Sequence, residues 1–155
     1  MRVISIRCAV QLLREDGWGL IRAVAVVAAV RLVLWWLPFR TVYVHLQNRK
    51  RNFTRRPDSY LENVPVQRVI RRVQRASRVV PGATCLVQGL AAEQLLAQAG
   101  HIAVLRIGVA RADAAGEKQL SAHAWIEYNG EVVLGGAGYN RFTPLPPLEK
   151  GGGNY

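Results

Sequence analysis

Residues 19–37, "GLIRAVAVVAAVRLVLWWL", are apolar except for Arg22, Arg31 and a glycine, and the run stops at Pro38. A stretch of that length prompts a membrane-spanning reading. Two features argue against a full span. Arg22 and Arg31 are nine residues apart, two and a half turns, so they lie on different faces of a helix. An Arg near the middle of a span costs roughly 2.5–3.5 kcal/mol on insertion scales. The pattern predicts instead a helix packed against the domain or a partner and ended by Pro38. Trp35 and Trp36 also suit a membrane interface, which keeps peripheral attachment open.

Further along, an amphipathic helix is predicted from Pro65. Val66, Val69, Ile70, Val73 and Val80 recur at helical spacing, while Arg68, Arg71, Arg72, Arg75 and Arg78 take the other face. An arginine row of this kind is commonly a solvated face, and it also suits docking of an acidic peptide or protein. Pro81-Gly82 then breaks the chain. A helix from Cys85 to Ala99 follows, apolar around much of its circumference and so expected to be largely buried, with Gly100 as its stop. "HIAVLRIGVA" reads as a central strand buried on both faces, and "RADAAGEKQ" as a charged loop. In "LSAHAWIEYNGEVVLGG", Asn129-Gly130 between strand-like runs predicts a two-residue hairpin. That turn would set Tyr128 opposite Glu131, Ile126 opposite Val133, Trp125 opposite Leu134 and His123 opposite Gly136. Ser121, His123, Trp125 and Glu127 share one face of the strand, and Ala122, Ala124, Ile126 and Tyr128 the other.

At 155 residues, half of them hydrophobic, the chain accommodates one domain with an extension and is too apolar for disorder. The boundary is placed at 56/57, with residues 1–56 a helical N-terminal extension and 57–155 the catalytic domain. Cys8 and Cys85 are the only cysteines, too few for a disulfide framework. With no cleavage site after a short apolar run, they point to a reducing, cytoplasmic setting. Net charge is +11, and ten of the 21 basic residues lie between Arg49 and Arg78 against only Asp58 and Glu62. That is a basic segment within the chain. A nucleic-acid partner is not expected, because no aromatic-rich strand, zinc-ligand spacing or DNA-binding pattern accompanies the charge.

Cys85 at a helix start meets unpaired N–H groups and a partial positive charge, a setting that favours negative charge on a side chain there. Taken alone, such a cysteine is also well explained as a small buried hydrophobe, and a strand histidine such as His123 as a packing or surface residue. Together they fall in the order, thiol at a helix start and then histidine on an antiparallel strand, in which papain-like and transglutaminase-like enzymes build a Cys–His pair.

The segments "ATCLVQGLAAEQLLAQAG", "LRIGVA", "SAHAWIEYNGEVVLGG" and "FTPL", in that order, resemble the transglutaminase-like leader peptidase of lasso-peptide biosynthesis, the B protein in its separately encoded B2 form. The likeness covers roughly residues 66–145, and "LPFR" at the end of the N-terminal section is similar too. It implies an α+β fold with a transglutaminase-like, papain-like core, the nucleophile helix packed on an antiparallel sheet, behind a helical N-terminal extension. It implies cleavage of a ribosomally made precursor between leader and core. The implied partners are the precursor peptide, a small leader-recognition protein, and a separate ATP-dependent, asparagine-synthetase-like cyclase that joins the freed amine to an acidic side chain. Cys85 would be the nucleophile and His123 its general base and then acid, with the Cys85 N–H as oxyanion donor. No cofactor or metal is implied, and the chain has no Gly-rich phosphate loop or metal-ligand cluster to suggest one.

The sequence departs from the family where the third catalytic residue is expected, because Gly135 and Gly136 occupy that region. Asn140 is the first substitute and Glu127 the second, although Glu127 lies about 13 Å along the strand from His123. A Cys–His dyad, or an orienting group from a partner, would also serve. The glutamine that precedes the nucleophile in papain-like enzymes is missing; Gln88 follows Cys85 by three. Two other readings stand beside the peptidase: a non-catalytic transglutaminase-like scaffold that binds a peptide, and a basic peripheral membrane protein organised by residues 19–37.

Overall fold

In the computed structural model the described residues, 6–55, 64–114 and 117–146, form four helices followed by a four-stranded antiparallel sheet. Helix α1 (Ile6–Trp36) stops just short of Pro38, and α2 (Phe39–Arg55) begins just after it. Proline cannot continue a helix but suits the start of one, and the Pro38 carbonyl accepts from the Thr41 and Val42 N–H groups of the new first turn. Helix α3 (Val66–Val79) buries Val69, Ile70 and Val73 as its periodicity predicts, together with Ala76, while Val66 is half-buried and Val80 caps the helix. Arg68, Arg71, Arg75 and Arg78 face solvent, whereas Arg72 is half-buried against Gly19 of α1.

Helix α4 (Cys85–Gln98) is the axis of the fold, packed by α1, α2, α3 and the sheet. Its caps explain its bounds. Thr84 accepts the Val87 N–H at the start. At the end Gly100 takes φ +82°, and the His101 and Gly100 N–H groups return to the Leu96 and Ala97 carbonyls, a paired closure that needs a left-handed residue. Two arginines of α1, Arg22 and Arg31, reach toward the ends of α4. Arg22 donates to Gln98 Oε1 at 3.0 Å near the end of α4, and Arg31 lies over Gly82 in the turn before it. One core joins Ala23, Val27 and Val30 of α1 to α3, α4 and the sheet, so the helices before position 56 share it with the elements after it.

The sheet order is β3-β2-β1-β4, from β1 (Val104–Ala114), β2 (Glu117–Tyr128), β3 (Glu131–Leu134) and β4 (Thr143–Pro144). Leu105, Ala124, Ile126 and Leu134 are buried on the face toward α4. Three expectations change here. The segment read as a loop is largely strand: β1 and β2 stay paired from Val104↔Glu127 to Ala114↔Glu117, their backbone bonds supplying the order that polar side chains concealed. β1 is not covered on both faces, since Val104 is 41% exposed. The Asn129-Gly130 turn forms as predicted, with φ of 51° and 82°, but a bulge shifts the register after Glu127↔Val132, so Leu134 pairs with Ile126 instead of Trp125. Leu134 thereby enters the core, 6% exposed.

Buried charge ties the layers together. Glu93, 2% exposed, accepts from Lys50 Nζ at 2.8 Å and Gln47 Nε2 at 2.9 Å on α2, and from the Leu105 N–H of β1 at 3.2 Å. Lys50 also donates to the Ala103 carbonyl. Removing one partner of a buried ion pair costs about 3–5 kcal/mol, because the other charge is left without compensation. Glu93→Ala is expected to lose stability of that order in urea denaturation, and the double variant Lys50→Met/Glu93→Leu to recover part of it.

Candidate active site

Cys85 opens α4 and is half-buried against the core. Its helix crosses the sheet on a line that other contacts define. Glu93 meets the Leu105 N–H, and a Cβ placed on Gly89 would lie 2.6 Å from Leu105 Cδ1 and 4.0 Å from Ala124 Cβ. Cys85 shares a helix face with Gly89 and lies four residues, about 6 Å, before it along α4. Thr84 takes the N–H groups of Val87 and Gln88, through its hydroxyl and its carbonyl. The first two N–H groups of the helix, on Cys85 and Leu86, have no backbone carbonyl one turn earlier in the helix to accept from them. Gln88 does not face a substrate: its Nε2 donates to the Ala83 carbonyl at 3.0 Å and braces the loop before Cys85.

His123 projects from the opposite face of β2 to Ala124, as its alternation dictates. Its Nε2 lies 2.7 Å from the Gly135 carbonyl oxygen. A carbonyl only accepts, so Nε2 carries the proton and the neutral ring leaves Nδ1 as the acceptor. The imidazole is flanked by Trp125, nearly parallel at 6.2 Å between ring centroids, and by Phe142 at 5.1 Å. Gly108, opposite His123 on β1, makes room for this packing, since a Cβ there would stand 2.9 Å from the Trp125 ring and from Phe142. No hydrogen bond joins Cys85 to His123 among the described residues.

Neither substitute for the third residue is the group that meets His123 Nε2. Glu127 is engaged through both oxygens, accepting from Trp125 Nε1 at 2.9 Å and from Arg106 Nε at 3.0 Å. Burial pulls its carboxyl upward, but those hydrogen bonds and the Arg106 charge outweigh it and hold Glu127 below its ordinary value. It therefore fixes the indole that lies beside His123. Asn140 is exposed in a 3-10 turn, Tyr139–Arg141. The group on His123 is a backbone carbonyl, which no side-chain pattern announces. The available signal was "VVLGG", where apolar residues in succession break the two-residue alternation just before the glycines. Gly135 adopts φ +76°, and a Cβ on it would fall 2.7 Å from the Ala124 carbonyl, so this turn needs glycine. Cys8 lies in α1 at residues whose side chains fall outside the description.

A family model of the transglutaminase-like superfamily matches residues 23–146. No curated protein matches the chain, and no solved structure does. The match covers most of the chain and runs through α1 to β4, across position 56. The chain belongs to the transglutaminase-like superfamily.

Two outcomes are expected of this arrangement. Nitrogen-15 NMR of the neutral His123 ring should show the proton on Nε2. For Glu127 the folded-state value is depressed, so its contribution to stability is present above its unfolded value, about 4.3, and is lost as pH falls through the folded one. Glu127→Gln should therefore be less stable than wild type at pH 7 in urea denaturation, and the gap should close as the medium is acidified to about pH 3.

Proposed function

We propose that this member of the transglutaminase-like superfamily is a cysteine peptidase that removes the leader from a ribosomally synthesised lasso-peptide precursor. The observation that supports the reading is His123: its Nε2 is committed to the Gly135 carbonyl, which leaves Nδ1 as the nitrogen that accepts a proton, while Cys85 opens the buried helix α4 within the family-matched region. The likeness of the segments around Cys85 and His123 to the leader peptidases narrows the substrate.

In this reading Nδ1 takes the Cys85 proton as Sγ attacks the scissile carbonyl carbon. The N–H groups of Cys85 and Leu86 receive the oxyanion. The C–N bond breaks as the imidazolium gives its proton to the leaving amine, which is the new N-terminus of the core. Water, deprotonated by the same ring, then hydrolyses the thioester and releases the leader. Trp125, held by Glu127, and Phe142 keep the ring in place throughout. The leader-recognition protein and the ATP-dependent cyclase act before and after this step, in the cytoplasm. A peptide-binding scaffold is the second reading, favoured by the backbone carbonyl that stands where an acidic side chain is expected.

The test is mass spectrometry of a precursor peptide incubated with the protein and its leader-recognition partner. Cys85→Ala and His123→Ala should each lower cleavage at least a thousandfold, while Asn140→Ala stays within about threefold of wild type. Equal processing by wild type and Cys85→Ala would reject the peptidase.

A further inference from the structure

Only one face of α1 enters the core. Trp18, Ile21, Ala25, Ala29, Leu32 and Trp36 are exposed, and at 100° per residue they fall on one stripe about 27 Å long with an indole at each end. Trp36 is 79% exposed and Trp18 63%. No charge interrupts the stripe, because Arg22 and Arg31 are turned toward the two ends of α4. Residues 17–36 pass for a membrane span by length and hydropathy, but Ala23 and Val27 on the opposite face have no solvent exposure and lie in the core. A helix fixed to its own domain in this way can lie along a bilayer and cannot cross it.

The charge around the stripe selects the kind of surface. α2 and α3 pack beside α1, and neither they nor residues 17–36 contain a single Asp or Glu. Arg40 and Arg51 of α2, and Arg68, Arg71, Arg75 and Arg78 of α3, are exposed. Cations near an anionic leaflet are attracted to it, and indoles favour the headgroup level. From the acid-free basic flanks and the tryptophan-ended apolar stripe, we propose that this helical face binds an anionic lipid bilayer, with α1 lying parallel to the surface at the headgroup boundary. The proposal is independent of the cleavage chemistry.

The test is co-sedimentation of the full chain with phosphatidylcholine vesicles, with and without one quarter phosphatidylglycerol, at 0.1 and 0.5 M salt. Quenching of tryptophan fluorescence by lipids brominated in the acyl chain is read alongside. Binding to the anionic vesicles should exceed that to neutral ones at least tenfold, fall with salt, and be accompanied by quenching. Trp18→Ser/Trp36→Ser, checked for folding by circular dichroism, should bind at least tenfold more weakly. The proposal is overturned by no anionic-vesicle binding, by binding without quenching, by a double variant that binds as wild type, or by light scattering that shows the stripe closed in a dimer this variant dissociates.

Discussion

A carboxylate shut away from water is tolerable only where its oxygens are matched, and Glu93 meets that condition with groups from separate parts of the chain. Lys50 and Gln47 arrive from α2, and the Leu105 N–H from β1. The contacts do more than neutralise a charge. They satisfy backbone groups at 103–105, where the edge of β1 away from β2 is not paired by β4, and they tie α2 and α4 to the sheet.

The His123 side of the site is set by register. Without the extra residue in β3, Leu134 would sit opposite Trp125, on the face that carries His123. The bulge sends Leu134 into the core and lets the chain turn at Gly135, whose carbonyl then meets the imidazole. A side-chain acid and a backbone carbonyl differ here in one respect: both accept from Nε2, but only the acid brings a charge that stabilises the imidazolium. The Glu127 carboxylate reaches the ring only through the Trp125 indole.

Much of this was legible in the sequence because it rests on local rules. The α+β class, the helix starting at Cys85, the stop at Gly100 and the turn at Asn129-Gly130 depend on neighbours within a few positions. The missed features depend on distant ones. Glu93 finds Lys50 forty-three residues away. Residues 111–114 and 117–120 are strand because their backbones pair across the ribbon, whatever their side chains say. The core that α4 centres also takes in residues of α1 and α2, which composition alone does not reveal. The group opposite His123 Nε2 could not be read at all, since every residue has a carbonyl.

Helix α1 raises a problem of degeneracy that its arginines resolve. A run of Ala and Val such as "AVAVVAAV" offers nearly the same small knobs after a shift of a few residues, so packing alone would allow it to slide along α4 among registers of similar energy. Arg22 and Arg31, nine residues apart, act as two stops on a ruler: one is hydrogen-bonded to Gln98 and the other is lodged over Gly82. A shift in either direction would drag both guanidinium groups away from their places at once. The cost of two charges in the apolar part of this helix thus becomes the means by which a nearly featureless segment acquires a single position.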